Sequence, residues 1–305
     1  MDSNSKIFVA GHRGLVGSAV VRKLNKDGYT NILTRSRPDL DLRVQKDVDE
    51  FFAEERPEYV FLGAAKVGGI GYNKSSPADF IRENLQIQTN VIDAAYRNGC
   101  KKLLFLGSAC IYPKHAPVPI KEEYLMTGPL EPTNDGYAMS KIIGYYMCKR
   151  YTEQYGFSTV SVMPNNLYGI NDNFIPSQCH VIPSFVNRFI KAKENNDPEV
   201  VCFGDGSPTR EFLFSDDLAD GLIFLMNTGP NREVSIKELS ELVAKEVGYT
   251  GEIVWDITKP NGTPRRALDT SKMDSLGWKA QTPLEEGLKI TVEWFLQNRS
   301  NYVRV

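Results

Sequence analysis

The chain has 305 residues, about two ordinary domains' worth, of which 41% are apolar and 24% charged. Its 36 Lys and Arg against 38 Asp and Glu leave a net charge of -2. That balance excludes a disordered tail protein, a collagen-like repeat and the basic footprint of a nucleic-acid binder, and leaves a small molecule or another protein as partner.

Five cysteines, Cys100, Cys110, Cys148, Cys179 and Cys202, are spread widely, without a C-x-x-C pair. This usage fits a reducing compartment, not a secreted disulfide framework. Residues 1–6 are polar and leave no room for a signal-peptide apolar region before residue 7. The apolar runs fall far short of the ~20 residues that span a bilayer. A soluble, cytoplasmic protein is expected.

In chain order, residues 6–10 predict a buried strand and 15–26 the helix after it. A second strand and helix follow at 31–34 and 44–54, then strands at 59–62, 103–106 and 160–163. Strands buried on both faces read as continuous apolar runs, so this rhythm predicts an α/β fold built on a doubly wound parallel sheet. Beyond Pro164 the rhythm breaks, and residues 165–183, rich in Asn, Pro and Gly, read as loop. A helix at 183–193, a strand at 200–203 and a helix at 216–227 come next, with late helices near 236–247 and 284–298. The expected division is a Rossmann domain of 1–163 with about 208–228, and a smaller α/β substrate domain of 164–207 and 229–305.

Directly after the first strand stands Gly11-His12-Arg13-Gly14-Leu15-Val16-Gly17, a G-x-x-G-x-x-G spacing that opens a helix. Glycines there let the backbone turn sharply and approach a pyrophosphate, whose charge meets the positive helix end. An NAD site usually ends its second strand in a carboxylate that holds the ribose 2′-OH. Here that strand runs into Thr34-Arg35-Ser36-Arg37, and Arg13 lies inside the loop. Arginines grip a 2′-phosphate that a carboxylate would repel, so NADP(H) is expected over NAD(H). The rival reading, solvated arginines, rests on Asp39 and Asp41 close by.

Tyr137-Ala138-Met139-Ser140-Lys141 places a phenol and an ammonium on one helix face. A nearby ammonium is expected to lower the tyrosine's pKa from ~10 and make it a proton exchanger. Ahead of it, Gly107-Ser108-Ala109-Cys110 puts a hydroxyl and a thiol at the carboxyl end of the fourth strand, where open α/β sheets bind ligands. A dinucleotide loop, a serine after the fourth strand and a following Y-x-x-x-K together resemble the extended short-chain dehydrogenase/reductases.

The resemblance narrows to the GDP-L-fucose synthase family. It is carried by Gly11-His12-Arg13-Gly14, Ala64-Ala65-Lys66-Val67-Gly68-Gly69-Ile70, Pro77-Ala78-Asp79-Phe80-Ile81 and Cys110-Ile111-Tyr112-Pro113-Lys114. Further strings are Leu130-Glu131-Pro132-Thr133-Asn134, Asn166-Leu167-Tyr168-Gly169, Asp172-Asn173-Phe174, His180-Val181-Ile182-Pro183 and Arg210-Glu211-Phe212-Leu213. That family epimerises GDP-4-keto-6-deoxy-D-mannose at C3 and C5 and reduces C4 with NADPH. The resemblance implies Cys110 as base, His180 as the acid on the opposite face, Ser108 and Tyr137 as donors to the C4 oxygen, and Lys141 as tuner of Tyr137 and holder of the nicotinamide ribose. It implies Gly11, Arg13, Gly14, Leu15, Val16, Gly17, Arg37, Lys141, Pro164, Leu167 and His180 around the cofactor, and Arg188, Phe203, Arg210 and Asp269 around the GDP-sugar, with the basic turn Pro264-Arg265-Arg266 nearby. Cys179 is left out, because adjacent residues on an extended chain point to opposite faces. No cluster suggests a metal site.

A homodimer is implied as well, with helices at 77–98 and 137–155 offering shared faces and Tyr145, Tyr146, Met147 and Tyr151 an adaptable apolar surface. The chain departs from the family in three places. Phe203 stands where Trp is common, Phe214-Ser215-Asp216-Asp217 replaces a His-Val-Asp-Asp string, and 226–234 is shorter than the usual stretch. Two other readings stay open. One is a related nucleotide-sugar epimerase, dehydratase or 4-ketoreductase, which shares Tyr137 and Lys141 without needing Cys110 and His180. The other is a non-catalytic NADP-sensing protein.

Overall fold

A strand with helices on both sides must bury both its faces, and the first-half apolar runs do so. The computed structural model describes residues 1–225, 232–258, 265, 266, 268, 269, 271, 275 and 280–299. In chain order the first half holds β1 (Ile7–Ala10), α1 (Leu15–Lys26), β2 (Ile32–Leu33), α2 (Gln45–Glu55), β3 (Tyr59–Leu62), α3 (Ile70–Ser75), α4 (Pro77–Arg97), β4 (Lys102–Leu106), α5 (Asp135–Tyr155) and β5 (Thr159–Val162). The second holds β6 (Asn166–Tyr168), α6 (Val181–Asn195), β7 (Glu199–Phe203), β8 (Thr209–Phe214), α7 (Ser215–Phe224), β9 (Arg232–Ser235), α8 (Ile236–Val247), β10 (Glu252–Asp256), β11 (Arg265–Arg266) and α9 (Leu284–Asn298).

The five strands of the first half pair in parallel in the order β2-β1-β3-β4-β5. Alternate side chains go to opposite faces. Ile7, Val9, Phe61 and Leu104 pack with α1 and α7, while Phe8, Val60, Leu103 and Phe105 pack with α2, α4 and α5. Each fully buried ring, such as Phe8, Phe52 or Phe105, contributes about 1.5–3 kcal/mol. This is the α/β doubly wound parallel sheet that the sequence predicts. Connections leave β1 in one direction and β3 in the other, so the crevice outside their carboxyl ends is the place for a ligand.

A second core gathers Phe185 and Phe189 of α6, Cys202 of β7, Phe212 of β8, Leu239 and Val243 of α8, and Leu288 and Phe295 of α9. β7 pairs in parallel with β10. β6, β8 and β11 form another parallel set, with β9 antiparallel on β8. Among the described residues no helix is long and apolar enough to cross a membrane.

Two expectations need correction, and a third falls mostly outside the described residues. Residues 165–183 are not all loop, because Asn166–Tyr168 pair with Phe212–Phe214 and make β6. The Asn and Gly content hid that strand, whose amides bond instead to Glu211: Asn165 Nδ2 donates to Oε2 over 2.8 Å and Asn166 Nδ2 to the backbone oxygen over 3.0 Å. Next, Tyr146 packs on a core of this chain and Met147 and Tyr151 on another, and Tyr151 Oη donates to Asp93 Oδ1 over 2.9 Å. On α5 it is Met139, Ile143 and Tyr155 that are exposed. Last, of the shortened stretch at 226–234, residues 226–231 lie outside the described residues and the rest enter β9. Residues 260–264 of the basic turn also lie outside them.

Candidate active site

The site begins where β4 ends. Ser108 is extended and starts a short 3-10 turn over Ala109–Ile111, its Oγ accepting from the Cys110 N–H over 3.2 Å. The Ala109 N–H donates to the Pro164 carbonyl over 3.0 Å and the Gly107 N–H to Val162 over 2.8 Å, which ties the turn to the end of β5. The hydroxyl and thiol therefore stand on backbone held from two strands.

Tyr137 and Lys141, one turn apart on α5, face this turn. The Tyr137 phenol is hydrogen-bonded to Ser108, and Phe80 meets its ring edge-on at 6.3 Å. Lys141 Nζ donates to the Leu106 carbonyl over 2.7 Å and stands 6.0 Å from the Tyr137 ring centre. The expected lowering of the tyrosine pKa is not what this geometry gives. Burial pushes the phenol up, Cys110 adds to that, and the Ser108 bond opposes it. Lys141 is itself brought down to about 8 by burial. A phenol kept protonated suits a proton donor.

His180 arrives from the second half of the chain, at the start of α6. The loop after β3 holds its segment, with the Gly69 N–H donating to Gln178 over 2.8 Å and Asn73 Nδ2 to Gly68 over 2.6 Å. From α3, Tyr72 packs on Phe80 at 5.1 Å, and Phe80 packs on Tyr137. Desolvation by the surrounding protein lowers the pKa of the imidazole. Cys179 turns elsewhere, its Sγ directed at the Pro176 carbonyl over 3.7 Å.

Sequence reasoning passed over Asp172, which lies on the same segment. It is 4% exposed, its Oδ1 accepts from the Asn173 N–H over 2.7 Å, and its Oδ2 is buried without a hydrogen-bond partner. Burial raises its pKa to about 7. The folded chain then holds a proton that the unfolded chain releases near ~3.9, so this group costs stability as pH rises from about 4 to 7. Asp172→Asn is expected to raise the melting temperature more at pH 8 than at pH 5. Thermal melts at both pH values check this, and an equal effect at both refutes it.

The glycine loop folds as a cradle. Gly14 starts α1 with no side-chain cap, and its N–H donates to Gly11 over 3.0 Å. A Cβ on Gly17 would stand 2.1 Å from the Gly11 carbonyl oxygen, so only glycine lets α1 approach the loop this closely. Gly17→Ala is expected to cost about 1–3 kcal/mol of stability and to open the cradle, read as a lower melting temperature and weakened dinucleotide binding. Leu15 and Val16 form the first turn of α1 beside Arg13, which is exposed.

The two arginines after β2 separate. Arg35 pairs with Glu55 and lies over the Phe51 ring at 5.4 Å, so it is engaged. Arg37 keeps 66% of its side chain exposed, with Glu83 at 3.5 Å and Asp41 at 3.9 Å. Of these two, Arg37 has the more accessible guanidinium. Pro164 and Leu167 follow β5 on the path to β6.

The four expected substrate residues fall into two pairs. Arg188 Nη1 donates to the Val201 carbonyl over 2.9 Å, and its guanidinium lies 4.5 Å above the ring of Phe203, itself 56% exposed. Phenylalanine at this position thus keeps an aromatic face for the arginine. Arg210 on β8 stands opposite Arg266 of β11. Its neighbour Glu211 accepts from the Leu268 N–H over 2.9 Å, which brings Asp269 alongside. Bonds from Ser271 hold the Asp269 carboxyl below its usual range, with Lys121 adding to the effect. Among the described residues no group of three His, Cys, Asp or Glu side chains would hold a metal ion.

A model of the NAD dependent epimerase/dehydratase family matches residues 7–236. The chain belongs to this family. It is 55% identical to GDP-L-fucose synthase 1 of Arabidopsis thaliana, over 98% of this chain and 96% of that one. It is 46% identical to GDP-L-fucose synthase of Escherichia coli K12, over 98% and 99%. The structure of a GDP-mannoheptose C4 reductase from Campylobacter jejuni with NADP bound aligns with a TM-score of 0.89 at 40% identity, covering 97% of this chain and 99% of that one. These relatives match the chain nearly end to end.

Proposed function

We propose that this chain converts GDP-4-keto-6-deoxy-D-mannose to GDP-L-fucose, epimerising C3 and C5 and then reducing C4 with NADPH. The observation that carries the reading is the corner where Ser108, Cys110 and Tyr137 meet: two hydroxyl donors and a thiol at the carboxyl end of β4. The Arabidopsis and E. coli relatives bear the name of this activity.

C3 and C5 both flank the C4 ketone, so a base can take either proton once the ketone oxygen is stabilised. Ser108 and Tyr137 donate hydrogen bonds to that oxygen, where negative charge gathers. Cys110 takes the proton, and His180 returns one to the opposite face. Tyr137, kept protonated by burial, then supplies the proton that the C4 oxygen needs on reduction. Arg188, Phe203, Arg210 and Asp269 hold the GDP portion, the arginines serving its pyrophosphate.

The residues fit a dinucleotide, since the close approach of Gly17 to Gly11 leaves an uncapped helix start facing outward. Gly11, Arg13, Gly14, Leu15, Val16 and Gly17 would hold its phosphates, Arg37 and Arg13 a 2′-phosphate, and Lys141, Pro164, Leu167 and His180 the nicotinamide end. When bound, NADPH supplies hydride to C4. NADPH is expected to bind at least tenfold more tightly than NADH, and equal dissociation constants would end the NADP(H) assignment.

We further propose a Rossmann domain of 1–163 with about 208–228 and a substrate domain from the remainder; the presence of two hydrophobic cores supports it, with β8 sending Phe212 into one and Leu213 into the other. We also propose a cytoplasmic homodimer. For it, α5 leaves Met139, Ile143 and Tyr155 exposed.

The decisive assay offers GDP-4-keto-6-deoxy-mannose with NADPH in heavy water. Deuterium at C3 and C5 of the reduced product supports the reading. Reduction without label replaces it with a plain C4 ketoreductase, the activity named for the C. jejuni relative, and no turnover favours a sensor.

A further inference from the structure

Asparagine is among the residues best suited to start a helix, because its side chain can accept a hydrogen bond from a first-turn N–H. Asn134 holds this position on α5, yet its side chain makes no such bond. Its backbone is committed to the helix start, with the N–H donating to Glu131 over 3.1 Å and the carbonyl accepting from Ala138 over 2.9 Å. The carboxamide turns back across the turn after β4, and Nδ2 donates to Cys110 Sγ over 3.3 Å.

The other end of the amide adds a second observation. Asn134 Oδ1 is buried without a hydrogen-bond partner, as are Thr133 Oγ1 and Asn73 Oδ1. All three residues line one cavity of about 250 Å³ that reaches Tyr137. The amide is thus turned away from the helix and into the reacting corner.

We propose that Asn134 is a positioning residue for Cys110, aiming the sulfur and stabilising the negative charge that it carries as a thiolate. An N–H donated to an anion is stronger than one donated to a neutral group, so the bond favours the reactive form. The proposal rests on the reading of Cys110 as the base of the epimerisation. It also explains why the helix start forgoes its usual side-chain bond.

The test measures peptide-resolved alkylation of Cys110 by iodoacetamide, exchange at C3 and C5 in heavy water, and thermal melting. Wild type, Asn134→Ala and Asn134→Asp are compared. Asn134→Ala is expected to slow Cys110 alkylation about 3–10-fold and exchange about tenfold, with an unchanged melting temperature because no cap bond is lost. Asn134→Asp removes the donor and adds a like charge beside the sulfur, so both rates fall further, although aspartate caps helices well. A lowered melting temperature with both rates unchanged would overturn the proposal in favour of a purely structural role. Slowed alkylation with wild-type exchange overturns the link to epimerisation. A wild type that incorporates no deuterium defeats the proposed function itself, so the two failures are told apart.

Discussion

In heavy water the Cys110→Ser variant is expected to incorporate deuterium at C3 and C5 at least about 10²–10⁴-fold more slowly than wild type. Serine keeps the volume and the turn but is a far weaker base, since the hydroxyl does not ionise near neutral pH. Ser108, Tyr137 and Lys141 remain, so a 4-ketone already carrying the inverted configuration is expected to be reduced at close to the wild-type rate. The two assays separate proton transfer from hydride acceptance on one protein. Normal exchange in the variant removes Cys110 from the role of base.

The second large effect is expected at Tyr137. Tyr137→Phe keeps the ring on Phe80 but deletes the proton donor, and C4 reduction is expected to fall about 10²–10⁴-fold. Exchange falls less, about 10–100-fold, because Ser108 still donates to the ketone oxygen when one of two donors is lost. The direction of the tyrosine's pKa shift adds a pH test. Burial holds the phenol protonated, so reduction by wild type is expected to show no rising limb near pH 6–7 from loss of the tyrosine proton. Such a limb, absent in Tyr137→Phe when the residual rate is followed, would mean that the phenolate is the active form.

The parts of the fold that could be read in advance are those where local pattern and tertiary demand agree. The apolar run before Gly11 and the amphipathic stretch after Gly14 became β1 and α1 with almost the expected bounds. β8 was harder to see because Arg210 and Glu211 interrupt its apolar run. Glu211 is nonetheless 7% exposed, and it is tolerated because Asn165 and the Leu268 N–H satisfy its carboxylate. Those partners lie 46 and 57 residues away, and no local window contains them. α3 was missed for a similar reason: six residues with Gly, Asn and Ser carry little helical signal of their own.

At the site, Ser108, Cys110, Tyr137 and Lys141 were visible as motifs, but the direction of the Tyr137 shift was not. Sequence spacing brings the ammonium near the phenol, whereas burial of both groups and the bond to Leu106 decide their charges. Asn134 stood in a family string without a role of its own, and only the folded chain shows its amide turned to Cys110. Asp172 stood in a family string, but its burial gave no signal in the sequence, since burial of a carboxylate depends on the packing around it.

The corner of Ser108, Cys110 and Tyr137 and the stacked pair of Arg188 and Phe203 are anchored to different hydrophobic cores. The hydroxyl, thiol and phenol are mounted on β4 and α5, while the stacked arginine and phenylalanine ride on α6 and β7. On the roles proposed above, rebuilding the rim around residues 188 and 203 would retune which nucleotide is accepted and leave the machinery that moves protons intact. Natural divergence has the same freedom, with recognition and reactivity drifting along separate lines.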